Sequence, residues 1–287
     1  MKLVSIIIPT FNRAKLLERA IKSVLGQSYK AIEIVIIDNH STDNTDEVVN
    51  KFNSEKIIYL KIHNYGSIAA SRNYGIQNST GEYIAFLDSD DWWQLNKLEK
   101  CIRQLDKHDF VYHNMKKVSK TSISRVWLRA LKKPFANDLI INGNAIMTSS
   151  VVAKKNILIN AGLFNTGDDY RGWEDYDLWV RIAEKPCSFK RLVSFYGYYH
   201  LGDDNFDNPT QALKNIDLIE KNLIKEKNYD LSNIWWIDYS RGKLLFLMNN
   251  YNRANLLLRK AWRHTGLTLL VRLKILYLLL VIILRNK

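Results

Sequence analysis

Cysteine is almost absent. Cys101 and Cys187 are the only two, and their spacing suits no metal site. A disulfide framework is thereby excluded, and both are expected as reduced thiols. Long hydrophobic runs are scarce as well. The N-terminal run Leu3–Pro9 is too short for the core of a secretion signal and leads straight into folded-looking sequence, so the cytoplasm is the expected compartment. The longest apolar run without charge, Ile275–Leu284, would extend only ~15 Å as a helix, against a bilayer core of ~30 Å. Acidic residues are missing from two stretches, residues 115–137 and everything after Arg241. The chain as a whole carries a formal charge of +13. Such a balance favours phosphorylated ligands, anionic lipid or nucleic acid. Apolar residues make up 47% and charged residues 25%, an ordinary globular balance that excludes wholesale disorder.

What is present is an alternation of two periodicities. Short β-branched runs at Val4–Ile8, Glu33–Ile37, Ile57–Lys61, Tyr83–Leu87 and Phe110–His113 read as strands. Helical stripes lie between them, one through Leu16, Leu17, Ala20, Ile21, Val24 and Leu25, another through Val48, Val49 and Phe52. Asn44 and Glu47 have the spacing of a capping box. Strand–helix alternation implies an α/β fold with a mostly parallel, Rossmann-like sheet flanked by helices, whose ligands sit at the carboxyl ends of the strands. Polar residues gather at those ends: Pro9-Thr10-Phe11-Asn12-Arg13, Asp38-Asn39-His40-Ser41-Thr42-Asp43 and Asp88-Ser89-Asp90-Asp91. The basic stretch after residue 115 is either a flap over a phosphate-bearing ligand or a solvated loop and helix. Residues 142–206 look irregular and aromatic-rich, and from about residue 212 the chain reads as helical.

Each polar cluster has a chemical and a plain structural reading. Asp88 and Asp90 at a strand end would repel unless a cation lay among them, which suits Mg²⁺ or Mn²⁺ bridged to a diphosphate. Acidic residues are also common at helix starts. The Asp38–Asp43 cluster suits a base edge and a ribose, or simply a turn and helix cap. Arg72, inside a predicted helix, could clamp a phosphate or lie on the surface. Glu174-Asp175-Tyr176-Asp177 falls in a first helical turn, where one carboxylate could serve as general base or merely favour the helix dipole.

Taken in order, these pieces resemble the family 2 glycosyltransferases of the GT-A fold. The resemblance runs through Ser5–Arg13, Ser23–Tyr29, Glu33–Asn39, Ala70–Gly75, Gly81–Trp92, Thr148–Val152, Ala161–Phe164 and Glu174–Trp179, so it covers residues 3–205. It implies a GT-A catalytic domain over residues 1–212, with a nucleotide-binding half (1–115) and an acceptor-side half (116–212). Residues 213–287 would form a basic, helical, membrane-associating extension. The resemblance further implies an inverting, non-processive transfer from a nucleotide-sugar to a saccharide hydroxyl. Pro9, Thr10, Asn12, Asp38, Asn39, Arg72 and Asp88 would contact the nucleotide-sugar. Asp90 and His200 would hold Mn²⁺ or Mg²⁺, and Asp175, with Glu174 as second candidate, would be the base. Asn39 departs from the paired aspartates common at that place, which leaves the base of the donor open. No Gln-x-x-Arg-Trp motif of the processive synthases occurs.

The C-terminal run, with Lys274 and Arg285 on one helical face and Arg272 opposite, suits an in-plane helix at the inner face of the plasma membrane, the alternative being a helix packed on the catalytic domain or a dimer partner. The expected acceptor is therefore a polyprenyl-diphosphate-linked saccharide of a bacterial surface glycan such as an O-antigen or capsule. A nucleotidyltransferase acting on sugar phosphates, or a basic nucleic-acid-binding protein, are the alternatives. The second gives the strand-end aspartates no role.

Overall fold

The computed structural model describes residues 1–202, 208–225, 228–230 and 234–285. Its contacts divide it into two compact units, Met1–Ala136 with Ala145–Asp203, and Asn137–Asn144 with Asp204–Lys287.

The first unit is built on one sheet. In chain order its elements begin β1 (Val4–Thr10), α1 (Ala14–Leu25), β2 (Ile32–Asp38), α2 (Thr45–Lys51), β3 (Ile57–Lys61), α3 (Ile68–Gln77), β4 (Tyr83–Phe86), β5 (Trp92–Trp93) and α4 (Lys97–Leu105). There follow β6 (Phe110–Val118), β7 (Ile123–Val126), α5 (Phe135–Asn142), which runs on into the second unit, β8 (Val152–Lys154), α6 (Lys155–Asn160), α7 (Glu174–Ala183) and β9 (Phe189–His200). The strand order is β3-β2-β1-β4-β8-β6-β9-β5, with β7 added to β6. β1 to β4 are parallel, β8 runs antiparallel to both β4 and β6, and β9 lies parallel to β6. β1 and β2 are buried on both faces, which is why they read as unbroken Ile/Val runs.

Two expectations change. The capping box before α2 does not form, for Asn44 makes no side-chain cap; Asp43 Oδ1 instead takes the Thr45 N–H (3.2 Å) and hydroxyl (2.5 Å). The basic stretch after residue 115 is neither flap nor plain loop at its start. β6 continues to Val118 and forms a hairpin with β7, which leaves Arg125 exposed.

α3 lies close on β1 and β2 because Gly75 lets it. A Cβ at that position would stand 2.6 Å from Ile7 Cγ2 and 3.3 Å from Ile37 Cγ1. That approach seats Arg72, one turn earlier, over the strand ends.

The second unit contains α8 (Pro209–Ile219), α9 (Trp235–Leu247), α10 (Tyr251–Trp262) and α11 (Leu269–Arg285). Leu245, Ala254, Leu258, Ala261, Ile275 and Ile282 form its core. Segment 137–144 is tied to α9 by two tryptophans: Trp236 Nε1 donates to the Ile140 carbonyl (2.8 Å) and Trp235 Nε1 to Asn142 Oδ1 (3.1 Å). Among the described residues no helix is long and apolar enough to cross a membrane. Both cysteines are free, and burial pushes the Cys101 thiol up to about 11.

Candidate active site

The polar strand ends converge in the first unit. β4 ends at Phe86, and Asp88 to Asp91 form a turn closed by the Asp91 N–H donating to the Asp88 carbonyl (2.9 Å). The turn leads into β5, not into a helix, so its carboxylates are not helix-start acids. Each has its own setting. Asp88 pairs with Arg72 Nη2 (2.8 Å) and its N–H donates to Ser149 Oγ (3.1 Å). Asp90 pairs with Arg13 Nη1 (2.5 Å), and its carbonyl accepts from Arg19 Nη2 (2.6 Å).

Asp91 is the surprise. It is buried, its Oδ1 accepts the His200 N–H (2.9 Å), and Oδ2 is buried without a well-formed hydrogen bond. Burial first, then the neighbouring Asp88 and Asp90, push the Asp91 carboxyl well above the usual range. Burial and Asp88 likewise raise Asp90, while Arg13 draws it down. Arg19 stacks on Trp92, 3.7 Å from the ring centroid, and Trp92 stacks on Tyr198 at 4.9 Å. Sequence reading passed over Arg13, Arg19 and Asp91 as site residues. Arg13 and Asp91 lie in the polar clusters at strand ends, whereas nothing local marks Arg19.

Opposite the turn stands the start of α7, where three adjacent acids have separate duties. Glu174 pairs with Arg72 Nη1 (2.8 Å) and accepts the Gly172 N–H (2.8 Å). Asp177 pairs with Arg181 (2.7 Å). Asp175 accepts only from the Thr148 hydroxyl (2.8 Å) and the Tyr176 N–H (2.6 Å) among these contacts, and it keeps partial exposure. Burial, then repulsion from Glu174, push its carboxyl up to about 6.

Two bridges hold the turn and α7 together. Arg72 spans Asp88 and Glu174, and the buried Thr148-Ser149 pair reaches Asp175 on one side and Asp88 on the other. Burial works against the Arg72 charge, but Asp88 and Glu174 outweigh it and raise its pKa. The expected phosphate clamp is thus a 3% exposed guanidinium already engaged by two carboxylates. Asn73 fastens this arrangement, exchanging hydrogen bonds with the backbone of Phe164 (2.8 and 2.9 Å).

The other expected nucleotide residues lie at the ends of β1 and β2. Pro9 and Thr10 close β1, and Thr10 Oγ1 is buried without a hydrogen-bond partner among the described residues. Asn12 has a left-handed backbone (φ 49°) and its Oδ1 accepts the Thr42 N–H (2.7 Å). Asp38 is fully buried, accepting from Ser41 Oγ (2.5 Å) and the Tyr59 hydroxyl (2.8 Å). Asn39 accepts the Asn64 N–H (2.9 Å). Beyond them His40 stacks on His63 with ring centroids 3.8 Å apart, a pair the sequence did not announce.

Among the described residues no group of three or more His, Cys, Asp or Glu is arranged as a metal site. What the turn offers is two carboxylates raised first by burial and then by neighbouring acids, and a cation relieves the second of these. A hard divalent ion commonly takes one or two carboxylates and completes its shell with phosphate and water oxygens, so these residues fit one.

The sequence model of the family described as "Glycosyl transferase family 2" matches residues 5–154. An Escherichia coli protein named UDP-Glc:alpha-D-GlcNAc-diphosphoundecaprenol beta-1,3-glucosyltransferase WfaP is 31% identical over 230 residues, covering 78% of this chain and 88% of its own length. WfgD of the same organism, which bears the same activity in its name, is 32% identical over 185 residues, 63% of this chain and 70% of its own. An uncharacterized glycosyltransferase of Rickettsia felis is 34% identical over 189 residues, but this chain spans only 30% of that protein's length. Crystals of S. aureus TarS 1-349 contain a similar fold, with a TM-score of 0.64 at 19% identity over 91% of this chain and 80% of that one. The mannosyltransferase PcManGT of Pyrobaculum calidifontis, in complex with GDP-Man and Mn2+, gives 0.63 at 16% identity over 99% and 87%. The chain belongs to glycosyltransferase family 2, and it is a glycosyltransferase with a GT-A catalytic fold.

Proposed function

We propose that the enzyme transfers one sugar, with inversion, from a nucleoside-diphosphate-sugar to a hydroxyl of a polyprenyl-diphosphate-linked saccharide during assembly of a bacterial surface glycan, an O-antigen or capsule. It would act at the cytoplasmic face of the plasma membrane. The observation that carries the reading is the raised, partly exposed Asp175 carboxylate, joined by two bridges to the Asp88–Asp91 turn. The names of WfaP and WfgD make UDP-glucose, with α-GlcNAc-diphosphoundecaprenol as acceptor, the first pair to assay.

In this reading Asp175 takes the proton of the acceptor hydroxyl as its oxygen attacks the anomeric carbon. A carboxyl near 6 is largely ionised at neutral pH yet basic enough to accept a proton in the transition state. Arg72 engages Glu174 in an ion pair, which leaves Asp175, held by the Thr148 hydroxyl and the Tyr176 N–H, to act as the base. Pro9, Thr10, Asn12, Asp38 and Asn39 shape the nucleotide pocket, Thr10 with an unmatched hydroxyl, and Asp88 faces the ribose. Asp90, with His200 beside it, would hold Mn²⁺ or Mg²⁺. When bound, that ion neutralises charge developing on the departing diphosphate.

Two measurements test this. Release of free nucleoside diphosphate supports glycosyl transfer, whereas pyrophosphate would mark a nucleotidyltransferase. Thermal shifts with UDP and Mn²⁺ together should exceed those with UDP alone, since a ligand selective for the native state raises its stability. Asp90→Asn should abolish the Mn²⁺-dependent part. An Asp90→Asn protein that keeps the full Mn²⁺-dependent shift would remove Asp90 from the metal role.

A further inference from the structure

The helical unit shows a surface that catalysis leaves unexplained. α11 buries Ile275 and Ile282 in the core of that unit. On its opposite side Leu269, Leu273, Leu276, Tyr277, Leu280 and Leu284 are 43–74% exposed. Their spacings of three, four and seven residues put them in one stripe along a 17-residue helix. Apart from Arg272, Lys274 and Arg285 the helix is apolar, yet it buries one face in its own unit.

Beside the stripe, between α9 and α11, lies a cavity of about 430 Å³ lined by Tyr239, Lys243, Leu273, Lys274, Tyr277 and Leu278. Leu273 and Tyr277 belong to both the stripe and the cavity, so the two are continuous. Lys243 and Lys274 bring one ammonium from each helix, and neither is ion-paired among the described residues. From residue 241 to the end the sequence holds ten Lys and Arg and no Asp or Glu.

We propose that this cavity seats the phosphate of an anionic phospholipid headgroup while the α11 stripe sinks into the acyl boundary beneath it, with the helix in the membrane plane. Charge selects this occupant. A second copy meeting the same face through a two-fold axis would bring four lysine ammoniums together with no acid to offset them. An anionic lipid supplies the opposite charge, and its tails cover the leucines. The phenols of Tyr239 and Tyr277 suit the same boundary, with an apolar ring and a polar tip. At ~1.5 Å per residue α11 is about 25 Å long, which is short for a span but ample for an in-plane contact.

The inference gives a surface and a lipid chemistry to the membrane location proposed above. It is tested by binding alone, so a failure to transfer sugar would leave it standing. The full chain would be co-sedimented with vesicles of phosphatidylcholine, and with vesicles in which a third of the lipid is phosphatidylglycerol. Wild-type protein should bind the second and scarcely the first. Lys243→Ala with Lys274→Ala should weaken that binding roughly 25-fold, about five-fold per lysine. Leu276→Ser with Leu280→Ser should weaken it at least about ten-fold, as loss of inserted apolar surface requires. Both variants change exposed side chains, so both should melt with the wild type. Equal binding to both vesicle types, or undiminished binding of either double variant, would overturn the proposal. So would a dimer in light scattering that the leucine changes dissolve while vesicles leave it intact.

Discussion

Asp175→Asn should lower the rate of sugar transfer about 10³-fold, within the range that general-base catalysis contributes. Nucleotide-sugar affinity should stay within about two-fold, because Asp175 belongs to the acceptor side of the proposed site and an asparagine can still accept from Thr148. The wild-type pH profile should carry the same signature. With the carboxyl at about 6, kcat/KM should fall tenfold per unit below that pH and level off above it. Stability should move the opposite way. The folded carboxyl titrates above its ordinary 3.8, so its favourable contribution is complete below 3.8 and lost as pH rises through about 6. At pH 7.5 the asparagine variant, with no charge to bury, should therefore melt no lower than the wild type. A variant that loses activity together with several degrees of Tm would be a folding defect and would count against the base assignment.

Arg72→Met should have the largest effect on stability. The substitution keeps the volume and removes the charge between Asp88 and Glu174, whose side chains are 29% and 8% exposed. Breaking a buried pair from one side costs about 3–5 kcal/mol, because a carboxylate is left uncompensated. For a unit of this size that is a fall in Tm of about 10 °C. Adding Glu174→Gln should recover part of the loss, since it removes one orphaned charge, and thermal melts of the single and double variants form the cycle that measures it. An Arg72→Met protein with unchanged Tm and much weaker donor binding would show instead that Arg72 serves the nucleotide directly.

Much of the catalytic fold could be read from the chain because the reasons are local. The Ile/Val runs of β1 and β2 are strands buried on both faces, and the stripe from Leu17 to Val24 is a helix with one apolar side. Polar residues just after those strands follow from the open-sheet rule. β9 was harder. Its side chains are mostly half-buried on both faces, so neither alternation nor a solid apolar run marks it, and its pairing with β6 is interrupted by register shifts near Asn114. The capping of α2 by Asp43 was hidden for a simpler reason: several neighbouring residues could cap, and Asp43 Oδ2 also holds the Ala14 N–H, a contact from 29 residues away.

The sequence by itself determined that Asp88 to Asp91 would stand at a strand end and that Glu174 and Asp175 would open a helix. Both follow from short-range periodicity. Only the tertiary structure decided what each carboxylate does. Arg72 reaches Glu174 across 102 positions and Asp88 across 16, and so turns one acid into half of an ion pair. Asp91 becomes a buried tie to the end of β9, 109 positions away, and Asp175 is left with a hydroxyl partner and a carboxyl near 6. A carboxylate's basicity depends on its desolvation and on the charges within a few ångströms. Those neighbours arrive from distant parts of the chain, so spacing along the sequence cannot assign them.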